Sequence, residues 1–380
     1  MWYIIVCLFL TIISIAEFSK RKPGRKQLFN VAWFTLTCML VFRYGQGTDY
    51  YEYLIKYESV DSEGSFFVNA FYHGEIGWYI LNLIGAKLGI SFFVFNGMVS
   101  LVDMLMIRRF ILKYSPYKVF SLLLFYPTFY LTGCYSIIRQ GLALCVFLGI
   151  GVTLLVEKKT LKYFMLVFLL TLIHTSCIAL AILPFLLDIK KNKVYLILGG
   201  IAMLMGLKYF DSYVNIDDVS GYVGSRVSYA GILVRVILFF VIWRLYTLPR
   251  PSDYTKTDIE KWLFKIYLTG FVISLLFYNS ATISQRLTMP FKAVEIALFP
   301  ILLYRNQSYL AYIKNKVKLQ TISLLFFLVV AIMNVEFVKN INSYIEQGNY
   351  YSWVSPVDYP YSSVFDQTKI RKYISNFDGE

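Results

Sequence analysis

The sequence predicts an all-α integral membrane protein that crosses the bilayer many times. Of its 380 residues, 58% are hydrophobic and only 16% are charged, and the mean hydropathy is +0.58. A soluble domain of this size does not need so much apolar surface. We therefore expect one domain of about 12–14 transmembrane helices in residues 1–337. A tyrosine-rich tail, residues 338–380, follows it.

The basic residues are grouped in short bands between the apolar runs. The formal net charge of +14 would suit a nucleic-acid-binding protein, but the cations form no single face, so nucleic acid is excluded as a partner. Short basic loops beside transmembrane helices stay in the cytoplasm, which is the positive-inside rule. We therefore place six bands on the cytoplasmic side: 20–26, 108–118, 158–162, 190–193, 244–265 and 305–318.

The first apolar run, Trp2 to Phe18, is expected to be a retained helix with its N-terminus outside. In a signal peptide the positive charges precede the apolar run, and a small-residue cleavage site follows it. Here the charges follow the run and no such site is present. The five cysteines lie in or beside apolar runs without metal or disulfide spacing, so we interpret them as small core residues.

Each interval between neighbouring basic bands must cross the bilayer an even number of times, which fixes the turns that face outward. These turns are 43–66, 133–140, the neighbourhood of His174, 211–226 and 279–286. The first of them looks external on its own account, because residues 45–66 hold five acids against Lys56 alone. A last helix is expected at about 319–337, and the tail after it would also lie outside.

Two regions of the sequence are compatible with two different membrane topologies, here called arrangements. Residues 67–107 hold two apolar runs where only one crossing fits, so the run 76–89 is expected to be interfacial or re-entrant. Residues 163–187 would span about 37 Å as one helix, yet each arm of a hairpin is short for a core of about 30 Å. In the rival arrangement both segments are single crossings and Arg139 lies inside. We prefer the first, because the rival places two basic bands outside.

Three arginines near the expected outer surface are candidates for binding an anion. Arg139 opens a helix, where backbone amides favour an anion and a cation is otherwise unfavourable. Arg286 is expected to open another helix in the same way. Arg43 ends a helix at the interface, where a snorkelling side chain explains it almost as well as a function does.

Three residues on the same side are candidates for accepting a proton. Asp49 follows Arg43, and Glu75 stands where apolar sequence resumes, so that partial burial would raise its pKa. Alternatively, these two acids only neutralise the arginines. His174 is one of two histidines and lies in a strongly apolar run, where a structural role is the simpler interpretation.

Other charged residues inside apolar runs are interpreted as structural. Glu295 lies one helical turn from Lys292 and can form an ion pair with it. Asp103 and Arg235 lie within other apolar runs and are interpreted in the same way.

The grouped outer arginines suit a lipid diphosphate. Guanidinium forks bind phosphate oxygens in pairs and stabilise a departing diphosphate as its charge develops. Such a site needs no metal, and the sequence contains no metal-binding motif. No cofactor is expected.

Several motifs resemble those of the EpsG family of Wzy-type polysaccharide polymerases. The motifs are Arg-Tyr-Gly-Gln-Gly-Thr-Asp-Tyr at 43–50, Glu-Ile-Gly at 75–77, Ile-Arg-Gln-Gly-Leu-Ala at 138–143 and His-Thr-Ser at 174–176. The first is the most specific, whereas the last two are short. Their order and spacing also fit, and the resemblance covers about residues 30–305.

The resemblance implies a multi-helix enzyme related to the GT-C glycosyltransferases, in the bacterial cytoplasmic membrane with its active site facing outside. Its substrates would be glycan repeat units on undecaprenyl diphosphate, as donor and as acceptor, delivered by a flippase. A flippase and a chain-length regulator are candidate partners. Arg139 and Arg286 would hold the donor diphosphate, and Arg43 would orient it or the glycan. Gln140 is a further candidate for binding the substrate. Asp49, Glu75 or His174 would take the proton of the attacking hydroxyl.

Two other functions remain open at this point. A flippase or exporter of lipid-linked glycan would also need arginines near a diphosphate, but it commonly exposes charge at mid-membrane depth and shows an internal repeat. Neither feature is seen in this sequence. A membrane acyltransferase would need a histidine that activates a hydroxyl, and His174 is compatible with that role.

Overall fold

The computed structural model describes residues 2–20, 26–60, 69, 75–187, 229–248, 257–278, 280–346 and 363–365. Every regular element in this part of the chain is helical, which confirms the expected all-α fold. The turn expected at 211–226, the basic band 190–193 and most of the tail 338–380 lie outside the described residues.

Fourteen α-helices can be followed within these ranges. They are α1 Trp2–Ser19, α2 Lys26–Val41, α3 Tyr50–Glu58, α4 Ile76–Lys87, α5 Phe92–Tyr114, α6 Lys118–Phe125, α7 Ile138–Val156, α8 Thr160–Ile173, α9 Leu183–Leu187, α10 Tyr229–Thr247, α11 Asp258–Leu276, α12 Ala281–Lys292, α13 Glu295–Tyr312 and α14 Lys316–Glu346. Helix α6 continues as a π-helix, Tyr126–Cys134, and a 3₁₀-helix, Thr175–Ile182, precedes α9.

Several of these helices are suited to cross a membrane, so the protein is a polytopic membrane protein. By length and composition the described residues contain three such helices, Trp2–Ser19, Ile138–Val156 and Lys316–Ile341. The pair Ile283–Lys292 and Glu295–Tyr312, bent by 45°, can form a fourth. Other apolar runs that we expected to cross fold as shorter or more charged helices packed among these.

Several of the short basic bands lie close together at one end of the molecule, which we call the basic end. Lys113 lies 3.7 Å from Glu157, and Arg305 pairs with Glu260 and donates to the carbonyl oxygen of Leu245. Lys113, Glu260 and Arg305 line one pocket, which joins the two groups. These residues belong to, or adjoin, four of the six bands. The positive-inside rule therefore assigns a single side of the membrane to this end.

Several expected outward turns meet at the opposite end, which we call the site end. Helix α6 and its π-helical continuation lead there from the basic end. The Thr48 backbone nitrogen donates to Ser136 Oγ at 3.3 Å, and Gln140 Nε2 donates to the carbonyl oxygen of Arg286 at 2.7 Å. Arg139 thus lies away from the basic bands, which agrees with the preferred arrangement and not with its rival.

The two regions that distinguish these arrangements both contain short helices. Helix α4 has 12 residues and spans only about 18 Å, too little for a crossing. Residues 163–187 form a hairpin in which the helix is interrupted at His174. The hydrogen bond from Tyr163 Oη to the carbonyl oxygen of Leu180, 2.8 Å long, shows that the two arms lie side by side. The rings of Phe164 and Phe185 lie 5.8 Å apart. One straight helix would hold these pairs more than about 25 Å apart.

The last helix is longer than the expected 319–337, because α14 runs to Glu346. Beyond Phe337, Asn340 donates to the carbonyl oxygen of Pro127, and Ile341 is buried in the core. The expectation that the last helix ends at about Phe337 was wrong. The division into a domain and a tail stays a prediction.

Candidate active site

A polar cavity of about 460 Å³ lies at the site end. Its walls come from the loop before α3, the π-helix after α6, and helices α10, α11, α12 and α14. A π-helix widens the backbone spiral and is frequent at functional sites. The described charged residues that line the cavity are Asp49, Arg235, Arg286, Lys292, Glu336 and Lys339. With four cations against two acids, the cavity is suited to an anion.

The loop that carries Asp49 is pressed against the turn before α7. Gly47 has a φ of +118°, and a Cβ at this position would lie 2.1 Å from the carbonyl oxygen of Tyr135. Only glycine fits both the conformation and the space. The next residue, Thr48, binds Ser136 through its backbone and donates its hydroxyl to Asp49 Oδ1 at 2.7 Å. The Gly-Thr-Asp sequence therefore fixes the Asp49 carboxylate at the cavity wall.

Replacing Gly47 with alanine is expected to destabilise the protein by at least about 1–3 kcal/mol, since the backbone strain alone has this size. The clash with Tyr135 adds to it. The thermal midpoint in detergent should fall, and chain elongation should fall with it because Asp49 moves. Thr35→Ala, at an exposed position on α2, is the control. An unchanged midpoint in Gly47→Ala would contradict the described loop conformation.

The charges of two arginines act on the Asp49 carboxyl group. Burial raises the pKa of its carboxyl above the ordinary value, while the Thr48 hydroxyl and the charges of Arg286 and Arg139 oppose this rise. Glu52 on α3 adds to the rise. A carboxylate with a raised pKa binds a proton more readily than an ordinary one, so Asp49 is well suited to act as a base.

A second cluster joins Glu75, Arg139 and His174. Glu75 precedes α4, Arg139 lies in the first turn of α7 as expected, and His174 is at the tip of the 163–187 hairpin. Arg139 Nη1 donates to Glu75 Oε2, and His174 Nδ1 lies 3.3 Å from Glu75 Oε1. Thr175 donates to the same oxygen from its backbone nitrogen at 3.2 Å and its hydroxyl at 2.9 Å.

The electrostatics of Glu75 differ from those of Asp49. Burial alone would raise the pKa of Glu75, but the close imidazole of His174 and guanidinium of Arg139 outweigh it and lower this pKa to about 2. The expected rise was therefore wrong in direction, because these partners stabilise the charged form. Such a carboxylate stays ionised at neutral pH and is a weak base.

Comparison with known proteins agrees with the sequence motifs. A family model described as the EpsG family matches residues 26–352, most of the chain. The chain belongs to the EpsG family. The match confirms the resemblance stated above and supports a polysaccharide polymerase-like membrane protein. No curated protein and no solved structure matches the chain.

In this EpsG family protein Arg43 does not line the cavity. Its side chain is only 1% exposed, donates to Asn96 Oδ1 at 3.2 Å and lies 4.8 Å from the ring centre of Tyr135. The structure therefore rules out a snorkelling Arg43 at the interface, and it places this cation in the core beneath the loop that carries Asp49.

Arg286 lines the cavity, although not at a helix start as expected. Ser280 caps α12, and its hydroxyl accepts a hydrogen bond from the backbone nitrogen of Ile283, so that Arg286 lies in the second turn. Gln140 is buried, and it holds the backbone of Arg286 rather than lining the cavity. Of the seven predicted site residues, the cavity thus brings together only Asp49 and Arg286.

Sequence reasoning missed the other charges of the cavity. Arg235 and Lys292 were interpreted as structural, yet both line the cavity, and Arg235 Nη1 donates to Ser284 Oγ at 3.1 Å. Lys339 was assigned to the tail. One signal in the sequence could have identified these residues. Arg235 and Glu336, which lies three residues before Lys339, are inside apolar helices, where ionisable residues are commonly functional.

One described group carries metal-ligand types. Asp103, Cys134 and Cys145 are buried, and their ligand atoms lie within 4.8 Å of one another. The group is not part of the cavity wall.

Proposed function

We propose that the protein is a glycosyltransferase that joins oligosaccharide repeat units carried on undecaprenyl diphosphate. The observation that carries this proposal is a cation-rich cavity with a carboxylate of raised pKa on its wall. Family membership supports polysaccharide polymerisation as the overall process. The diphosphate and the attacking hydroxyl each find a suitable group in this one cavity.

The donor diphosphate would bind to the cations of α10 and α12. Arg235 and Arg286 offer planar forks that bind two phosphate oxygens each, and Lys292 adds a point charge. These groups come from different helices, so they can surround the diphosphate. They gain most when the glycosidic bond breaks, because negative charge then develops on the departing phosphate oxygen.

Asp49 would serve as the proton acceptor. The oxygen of the acceptor hydroxyl forms a bond to the anomeric carbon of the donor while the bond from that carbon to the diphosphate oxygen breaks. The proton of the hydroxyl passes to Asp49, and the lipid diphosphate leaves with the bonding electron pair. Glu75 is a poorer acceptor because its pKa is about 2, and neither Glu75 nor His174 is among the described residues that line the cavity.

The reaction would take place at the outer leaflet of the bacterial cytoplasmic membrane. The cavity lies at the site end, and the short basic bands gather at the basic end. Since basic loops stay in the cytoplasm, this separation supports an outward-facing cavity. Labelling a cysteine introduced at Glu52, an exposed position on α3 at the site end, from outside intact cells tests the orientation, and labelling only after permeabilisation would overturn it.

The products that accumulate on gene deletion in the native host test the activity. We expect single lipid-linked repeat units on the outer leaflet and no long polymer. Purified protein in liposomes, supplied with lipid-linked oligosaccharide isolated from the deletion strain, should form a ladder of longer chains. Repeat units trapped on the inner leaflet would instead identify an exporter and contradict the proposal.

A further inference from the structure

Two residues of the second cluster, Glu75 and His174, lie at the ends of helices that are too short to cross the bilayer. Helix α4 has 12 residues and α8 has 14, so neither spans the bilayer alone. Gly77 allows close approach of the two, because a Cβ there would lie 2.7 Å from the carbonyl oxygen of Leu172. Short segments of this kind need side-chain contacts to fix their position.

Glu75 and Arg139 already make several hydrogen bonds within the protein. Glu75 accepts hydrogen bonds from Arg139 and twice from Thr175, and its Oε1 also faces His174 Nδ1. Arg139 Nε donates to Tyr53 Oη at 3.3 Å, and its guanidinium carbon lies 5.7 Å from the centre of that ring. The side chain of Arg139 is 20% exposed and that of Glu75 is 14% exposed. Two of the three nitrogens of the Arg139 guanidinium group are therefore already engaged with protein partners.

We infer that Glu75, Arg139 and His174 form a lock that joins α3, α4, α7 and the 163–187 hairpin and thereby positions Asp49, and that Arg139 is a positioning residue, not a ligand of the diphosphate. The connection to Asp49 is short. Arg139 lies in the first turn of α7, three residues after Ser136, which holds the Asp49 loop through the backbone of Thr48. Arg139 is also absent from the described residues that line the cavity.

A double-mutant cycle on Glu75 and Arg139 tests the lock. Glu75→Gln and Arg139→Gln are each expected to lower the thermal midpoint in detergent by about 2–4 °C or more, and the double variant should fall no further than the worse single variant. The matched control is the partly exposed pair Lys113 and Glu157 at the basic end, where the corresponding changes should leave the midpoint unchanged. Additive losses at Glu75 and Arg139 would overturn the lock.

A kinetic experiment, which rests on the proposed function, distinguishes a positioning role of Arg139 from a role in binding the donor. In Arg139→Gln, kcat for elongation should fall about tenfold or more while KM for the lipid-linked donor stays within about twofold. A rise of about tenfold or more in donor KM with unchanged kcat would instead make Arg139 a diphosphate ligand. The thermal cycle needs no substrate, so the lock can stand or fail independently of the polymerase activity.

Discussion

Replacing Asp49 with asparagine is expected to lower the rate of chain elongation by about 100- to 10,000-fold, the usual contribution of a positioned base. Asparagine keeps the size of the side chain and can still accept the hydrogen bond from Thr48, so the loop and the amount of protein in the membrane should be preserved. The rate is measured on purified protein in liposomes as the lengthening of lipid-linked chains.

The pH dependence adds a second test of Asp49. Because only the ionised carboxylate accepts a proton, activity should fall as the pH drops through the pKa of Asp49. Burial raises that pKa, so the acidic limb should lie at higher pH than for an ordinary aspartate. Glu58→Gln changes an exposed acid at the end of α3 and is the control for elongation rate. Normal polymer lengths in Asp49→Asn would remove Asp49 from the mechanism.

Replacing Arg286 with alanine should lower kcat/KM for elongation by about 100- to 1,000-fold, as expected for the loss of one group that stabilises developing charge. Arg286→Lys should recover only part of this loss, because an ammonium group is a point charge and lacks the two-pronged geometry of guanidinium. Both variants should still reach the membrane, since Gln140 binds the backbone and not the side chain of residue 286.

The matched control for Arg286 is Arg109→Ala, which removes an exposed arginine from α5, a helix that leads to the basic end. It should leave elongation unchanged. The donor KM separates roles further, because loss of a diphosphate ligand weakens substrate binding as well as the chemical step. Equal activity of Arg286→Lys and the unchanged protein would show that a single charge suffices and would contradict the bidentate contact.

The sequence was sufficient to predict that several of the turns expected to face outward lie on the same side of the molecule. The positive-inside rule places Asp49, Glu75, Arg139 and His174 on one side from charge alone, and the contacts at the site end agree. It also favoured the hairpin at 163–187, because the arrangement with a single crossing there places two basic bands outside.

The sequence was not sufficient to separate residues that line the cavity from residues that support it. An arginine at a helix end has the same local pattern whether it reaches solvent or is buried, so the burial of Arg43 depends on Asn96 and Tyr135 from distant parts of the chain. The same holds for Glu75, whose pKa is set by Arg139 and His174. Arg286 lies in the second turn of its helix and not in the expected first turn, because the helix already starts after the cap residue Ser280.

The length of α14 has a practical consequence for protein engineering. The hydrophobic pattern suggests stopping a recombinant chain, or attaching a fluorescent protein, soon after Phe337. The helix continues to Glu346, and this extension carries Lys339 into the cavity wall and Asn340 onto the backbone of Pro127. A chain cut at Phe337 would therefore lose part of the cavity wall while keeping every other helix described here, and its inactivity would say nothing about the remaining tail.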